Sequence, residues 1–382
     1  MLQVTATGTP YEIGHTHGSQ AKEQVHGSVA FYRGFFQDKA KMDWASVEEE
    51  GKLWRPWLEE NFPQYIEELK GVADGAGLSF ETIFALNIRT EIAFGHQSQP
   101  TDGCTAFAYH NAEAHTAILA QNWDWRWEQG PNLINLTIRR SGAATNGASN
   151  GHANGNGHAN GHSDNNSLSI ITEAGIIGKI GLSSSGVGVC LNAIAALGVS
   201  YTKLPVHLAL RAVLDWSHEE RAKGPGVAQR VAERLTKVGV ASAGHILLSD
   251  ELVAIGLEAS AVDIVPVKHT ALRGGDALVH SNHYVEEHPG VQLGQAWEDT
   301  YDRLKRIEQL AREGKAGKDG LVTADEVATF LQDEDKWPVS ICRHRESGGE
   351  TLFSIVMDLE KRDARVEVGI PGKGGEVFHL TP

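Results

Sequence analysis

The chain has little with which to staple itself, cross a bilayer or hold a polyanion. Its 382 residues include only 3 cysteines, Cys104, Cys190 and Cys342. A sparse, odd set excludes a disulfide-built scaffold and fits a reducing compartment. No run approaches ~18 consecutive apolar residues, so no membrane span is expected. Lys and Arg number 34 against 49 Asp and Glu, a formal net charge of −15. That balance argues against nucleic acid or an anionic membrane as partner. The opening stretch, Met1 to Gly8, has neither a basic region nor a long apolar core, so no secretory signal is expected. The ending His379-Leu380-Thr381-Pro382 is not a Ser-Lys-Leu-type peroxisomal address. The cytosol is the expected compartment.

What is present suits a soluble globular body: 41% hydrophobic and 22% charged residues, in a chain long enough to bury a full core. The first hundred residues read mostly as helix. Pro63 suits a first helical turn, Tyr65, Ile66, Leu69, Val72 and Ala73 recur at helical spacing, and Gly75 with Gly77 supply a stop. A second helix is expected from about Ser19 to Asp38. After Cys104 the texture turns to strands, at 104–109, 116–120, 133–138, 169–172, 176–180 and 187–191. Helices return at 205–216 and 226–238, followed by strands at 246–248, 253–255 and 262–265. Helices near 296–312 and 323–332 then precede strands at 352–357 and 364–368. Runs of strands separated by helices predict an α+β fold of two antiparallel sheets with helices outside. Residues 145–166, almost wholly Asn, Gly, His, Ala and Ser, cannot bury enough apolar area to offset ordering and read as a disordered loop between two strands. Metal capture by His152, His158 and His162 is the other reading of this tract. It is disfavoured because the tract is flexible and offers these histidines no Cys and, beyond Asp164, no carboxylate.

Thr101-Asp102-Gly103-Cys104-Thr105 carries the chemistry. A small, flexible residue before a cysteine at the mouth of a strand suggests a bond that the cysteine's own sulfur can cut. The cut leaves Cys104 as a new N-terminus with a thiol and a free α-amine, and an amine of pKa ~8 is neutral enough near pH 7 to serve as base. By itself a Gly-Cys pair is also compatible with a turn and a buried thiol. Cys190 and Cys342 lie in apolar stretches and read as core, and the Arg89 and Glu91 pair reads as structural.

In its motifs the chain resembles the acyl-coenzyme A:6-aminopenicillanic acid acyltransferase (isopenicillin N acyltransferase) family of N-terminal-nucleophile hydrolases, peptidase C45-like. The resemblance runs over nearly the full length outside 145–166. It is carried by Gly8-Thr9-Pro10-Tyr11-Glu12-Ile13-Gly14, Leu86-Asn87-Ile88-Arg89-Thr90-Glu91, Asp102-Gly103-Cys104-Thr105, Gln121-Asn122-Trp123-Asp124, Ile171 to Lys179, Ser281-Asn282-His283 and Ser340-Ile341-Cys342-Arg343. It implies an αββα sandwich made as a precursor and self-cleavage between Gly103 and Cys104. The helical fragment 1–103 and the catalytic fragment 104–382 would remain together as a heterodimer. It implies Cys104 as nucleophile, Asn282 and, more loosely, Asn192 at the oxyanion, Asp124 near the amine and substrate, and Arg343 facing a substrate carboxylate. No bound cofactor or metal is expected. Acyl-coenzyme A is the expected co-substrate, and a β-lactam or small peptide-like amide the expected substrate.

The residue types suit these roles. Amide acyl transfer needs a nucleophile, a base, donors for the oxyanion and an anchor for the leaving group. Neutral amides such as Asn282 and Asn192 can donate to an oxyanion, and Arg343 offers a planar fork for a carboxylate. Plainer roles stay open: a strand-end cap for Asp124, an ion pair for Arg343, turns for Asn282 and Asn192. The chain departs from the family at Trp125-Arg126-Trp127, where a phenylalanine pair helps line the acyl pocket of the penicillin-making members. A cation there would alter an apolar pocket. Other readings are a plain amidohydrolase, a papain-like Cys104/His283 hydrolase without chain cleavage, and a non-catalytic binding protein on the same sandwich.

Overall fold

Apolar runs with β-branched residues build two sheets, seen in a computed structural model that describes residues 1–95, 103–140, 166–296, 298–314 and 320–382. The eight-stranded sheet runs, edge to edge, through Leu2–Thr7, Leu133–Arg139, Ser167–Glu173, Ile180–Ser183, Gly188–Ala193, Gly244–Ser249, Ala254–Ala259 and Ile264–Pro266. The seven-stranded sheet runs through Thr270–Leu272, Gly275–His280, Thr105–Asn111, Thr116–Trp125, Glu350–Asp358, Asp363–Val368 and Val377–Leu380. The sheets face each other, helices Val206–Arg221 and Val227–Val238 cover the first, and Asp299–Glu313 and Ala324–Phe330 cover the second. The expected four-layer α+β order, helix–sheet–sheet–helix, is therefore present. One continuous core fills the space between the sheets and under the N-terminal helices. A second, around Phe107, Ile118, Ile307 and Phe330, lies beneath the outer helices of the seven-stranded sheet.

The N-terminal hundred residues form helices Pro10–Gln20, Lys22–Phe35, Trp44–Gly51, Arg55–Asn61, Pro63–Ala76, Phe80–Asn87 and Arg89–Gly95. The first and fifth pack backbone to backbone. A Cβ on Gly14, Gly18, Gly71 or Gly75 would come within 1.9, 2.2, 2.1 or 2.3 Å of a main-chain oxygen of the facing helix. Gly75 thus serves helix contact rather than termination, and the helix stops at Gly77, whose φ of +71° only glycine adopts cheaply. The helix expected over 19–38 is broken at Ala21, where Pro10–Gln20 ends and Lys22–Phe35 begins.

Other departures have local causes. Leu2–Thr7 is a strand, not part of a helical region. It pairs parallel with Leu133–Arg139, so the first sheet is not wholly antiparallel. Residues 176–179 are not a strand: Gly175 takes φ +95° and Gly178 packs against the His207 carbonyl, turning the apolar run into a buried bend. Strands Gly275–His280 and Val377–Leu380 escaped sequence reading. Of the 145–166 tract, 145–165, with His152, His158 and His162, lie outside the described residues. Its flanks are adjacent antiparallel strands, closed by Arg140 N donating to the Asn166 carbonyl at 2.9 Å. No helix among the described residues is long and apolar enough to cross a membrane.

Candidate functional site

Cys104 is fully buried where strand Thr105–Asn111 begins. Thr105 pairs with Asn122, so the antiparallel register sets Cys104 against Trp123, one residue before Asp124. Gly103 meets Arg343 so closely that a Cβ there would lie 2.3 Å from Nε. The glycine before the cysteine is thus the residue that lets a guanidinium rest on the candidate scissile peptide.

Arg343 sits in a carboxylate-rich frame. Its Nη2 donates to Asp299 Oδ2, and its Nε is 3.7 Å from Asp124 Oδ2. Thr351 ties the group together. Its hydroxyl donates to Asp124 Oδ1 at 2.6 Å and accepts from Arg343 N at 3.0 Å, while Thr351 N donates to the Arg343 carbonyl at 3.1 Å. Asp124 is buried beside this guanidinium rather than capping a strand end at the surface.

Arg303 was missed by sequence reading. Its Nη1 donates to the Cys104 carbonyl at 2.7 Å and to Thr105 Oγ1 at 3.1 Å, Nη2 donates to Asn282 Oδ1 at 2.8 Å, and Nε to Asp299 Oδ2 at 3.0 Å. Burial and the neighbouring Arg343 push its pKa down, while Asp299 and Asp124 oppose the shift. Because Arg303 occupies Asn282 Oδ1, the Asn282 amide is fixed with Nδ2 away from it, donating to the Ala193 carbonyl at 3.0 Å. The buried stripe Thr300, Arg303, Ile307 and Ala311 on one helix was the available signal, a cation where a hydrophobe is expected.

Asn192 lies next to Ala193. Its Oδ1 is bonded to His245 Nδ1 at 3.0 Å, and its buried Nδ2 has no acceptor among the described residues. His245 stacks on His280 with centroids 3.7 Å apart, and burial holds it neutral, well below the usual histidine range. Cys104, Asp124, Arg343 and Asn282 thus fall in one connected group, with Asn192 at its margin. His283 does not present itself as a base. Its Nδ1 is engaged with Thr300 Oγ1 at 3.0 Å and Ser281 Oγ at 3.2 Å, its ring lies on Tyr301, and burial lowers it to about 4.

Trp123, Trp125, Leu191, Ala193, Arg89 and Lys179 are among the residues lining a small cavity of about 20 Å³, room for about one water. Its cations are not the expected one: Arg126 is half-exposed and pairs with Glu128 at 3.6 Å, outside the lining. Arg89 and Lys179 both pair with buried Glu173, which they hold below the usual carboxylate range, and Lys179 Nζ lies 3.7 Å from the Trp123 ring centre. Arg89 and Glu91 go to different partners. Glu91 accepts from Val206 N at 2.6 Å and Ser242 Oγ at 2.9 Å, at the start of a helix.

A thiol, oriented amides and a carboxylate–guanidinium frame beside a lined cavity are the equipment of an enzyme that moves acyl groups on and off amines. Comparison with known proteins agrees. Residues 111–373 match the family model of acyl-coenzyme A:6-aminopenicillanic acid acyl-transferase. The chain is also 35% identical, over 385 residues, to the acyl-coenzyme A:6-aminopenicillanic-acid-acyltransferase 40 kDa form of Emericella nidulans, covering 100% of this chain and 96% of that one. The chain belongs to this acyltransferase family. Solved structures similar to it include penicillin V acylase from Agrobacterium tumefaciens, 14% identical over 72% of this chain and 86% of that one, with TM-score 0.41. Another is a mutant of conjugated bile acid hydrolase from Clostridium perfringens, 12% identical over 72% of this chain and 92% of that one, with TM-score 0.44.

Proposed function

We propose that the chain is a self-processing acyltransferase whose nucleophile is the sulfur of Cys104. In the first step Sγ attacks the Gly103 carbonyl, the C–N bond to Cys104 breaks to free its α-amine as a thioester forms, and water hydrolyses that thioester to release the Gly103 carboxylate and return the thiol. In the second, that amine takes the thiol proton, Sγ attacks the carbonyl of a small amide, and the proton passes to the amine that departs as its C–N bond breaks and the acyl thioester forms on Cys104. Asn282 Nδ2 and Asn192 Nδ2 donate to the oxyanion, each neutral donor contributing about 3 kcal/mol to the barrier. Asp124 steadies the protonated amine, and Arg343 receives a substrate carboxylate. The thioester on Cys104 is released to an amine. The substrate is a β-lactam or peptide-like amide, with acyl-coenzyme A as acyl donor.

The observation that carries this reading is the grip of Arg303 on both the Cys104 carbonyl and Asn282 Oδ1. One guanidinium registers the candidate nucleophile against the candidate oxyanion donor. The continued association of 1–103 with 104–382 is supported by buried links across the cut: Arg211 to Glu68 at 2.7 Å, Tyr65 to Asp215 at 3.0 Å, Gly175 N to His17 Nε2 at 2.9 Å, and strand Leu2–Thr7 within the first sheet. The test supplies purified protein with 6-aminopenicillanic acid and an acyl-coenzyme A thioester and looks for new amide by mass spectrometry. Free acid as sole product would replace transfer with plain hydrolysis.

A further inference from the structure

Cys342 and His344 flank Arg343 in sequence and turn toward Glu334, on the loop that follows helix Ala324–Phe330. One ligand atom from each of Glu334, Cys342 and His344 lies within 4.8 Å of the others, and no other such group occurs among the described residues. We propose that these three side chains form a binding site for a borderline-soft divalent cation of the zinc type, and that occupancy there disturbs the anchor at Arg343.

The donor set argues for the class of ion. Sulfur, imidazole nitrogen and one carboxylate oxygen suit zinc better than calcium or magnesium, and three protein ligands leave a fourth position for water. Zinc bonds of about 2.0–2.3 Å in a tetrahedron place ligand atoms roughly 3.3–3.7 Å apart. Reaching that spacing takes small shifts in both directions, closing ligand atoms up to 4.8 Å apart and slightly opening the His344–Glu334 pair. His344 Nε2 and Glu334 Oε1 are already 2.9 Å apart, and the loop is tied down by Cys342 N donating to the Asp333 carbonyl at 2.9 Å. Glu334 and His344 are both partly exposed, which gives an ion a way in. The charged groups facing the site are Asp124, whose carboxylate acts on the Cys342 thiol, Lys373, 2.9 Å from Glu334, and Asp333, which is committed to Arg306 at 2.6 Å. On binding, the Cys342 thiol gives its proton to solvent as the sulfur–metal bond forms, and Lys373 leaves Glu334 for water.

The link to function is covalent. Drawing Cys342 and His344 toward one point moves the peptide units on both sides of Arg343, whose N and O are held by Thr351, the residue that also holds Asp124. This consequence rests on the reading of Arg343 as the substrate-carboxylate anchor. It predicts that metal raises KM more than it lowers kcat, by about tenfold for a displacement approaching 1 Å.

The test uses the full-length Cys104→Ser chain, which removes the other thiol that with its α-amine would take up metal. Cobalt(II) titration is expected to give a near-ultraviolet thiolate-to-cobalt charge-transfer band, saturating at one equivalent and erased by one equivalent of zinc. Cys342→Ser should abolish the band. His344→Gln, at a partly exposed position that tolerates polar substitution, should weaken cobalt binding at least about tenfold. Absence of the band, or a band unchanged by both substitutions, overturns the site. In the unsubstituted enzyme, zinc should raise KM and His344→Gln should relieve that effect. Cobalt binding with no change in KM overturns the coupling, whereas protein that binds cobalt but turns over no amide overturns the functional reading and leaves the site standing.

Discussion

Replacing Arg303 by Gln should slow scission between Gly103 and Cys104 about 100-fold while leaving a folded chain. The magnitude follows from what the guanidinium holds. It makes four hydrogen bonds, to the Cys104 carbonyl, Thr105 Oγ1, Asn282 Oδ1 and Asp299 Oδ2, at 2.7, 3.1, 2.8 and 3.0 Å. Without it the Asn282 amide keeps only the Nδ2 bond to the Ala193 carbonyl and is less firmly oriented, and loss of one oriented oxyanion donor costs about 3 kcal/mol, or 10²–10³ in rate. Three acceptors, the Cys104 carbonyl, Thr105 Oγ1 and Asn282 Oδ1, lose this donor, at roughly 1–3 kcal/mol of stability for each left buried and bare, whereas Asp299 keeps Arg343. The assay follows intact mass with time after purification, beside urea melts of the same substitution in a Cys104→Ser background. Arg303→Lys, which keeps charge and a donor, should recover part of the cutting rate. A merely structural arginine would lower the urea midpoint equally in both variants and leave soluble protein cutting at the normal rate. Normal-rate scission by Arg303→Gln refutes the argument.

Three further outcomes are expected. Gly103→Ala should cut at least about tenfold more slowly by the same mass assay, because its Cβ would stand 2.3 Å from Arg343 Nε and one of the two must move. Arg211→Ala should lower stability by about 3–5 kcal/mol in urea melts, since it strands Glu68 in the interior and leaves Asp215 to Arg140 and Tyr65. Stability should fall steeply on acidification below about pH 6.5: buried His17, depressed to about 3, His283, depressed to about 4, and His207 and His245, also depressed, take up protons only when unfolded. Glu91, raised by burial to about 7, binds a proton only when folded in the window from its usual value upward and opposes one of the four. Three net protons give on the order of 4 kcal/mol per pH unit between pH 5 and 6; urea midpoints that stay flat there, or a His17→Gln chain with unchanged slope, would contradict this.

Much of the architecture was legible because it rests on strong periodicity. Pro63–Ala76, Val206–Arg221 and Val227–Val238 carry wide apolar stripes, and most central strands are continuous apolar runs buried on both faces. Leu2–Thr7 escaped because only Val4 and Ala6 of it are buried and its partner lies beyond residue 130, a pairing no local pattern encodes. The 176–179 run misled because interior bends and interior strands are equally apolar when fully buried. At the site, motif resemblance pointed to Cys104, Asp124, Asn282 and Arg343. Asp299 and Arg303 went unnoticed: their i,i+4 spacing on a strongly charged helix equally suits a solvated pair. Only tertiary placement turns that pair inward onto Cys104 and Asn282. Cys342 read as core and is indeed buried, but the proximity of Glu334 to it depends on the fold of the loop.

The central claim is that the working enzyme is a cut chain. Intact-mass analysis of active protein under denaturing conditions, beside Cys104→Ser, tests it most directly. The account predicts two polypeptides for the active protein, the larger beginning at Cys104, and a single 41.3 kDa chain for Cys104→Ser. Full acyl transfer by a preparation that remains one 41.3 kDa chain would contradict it.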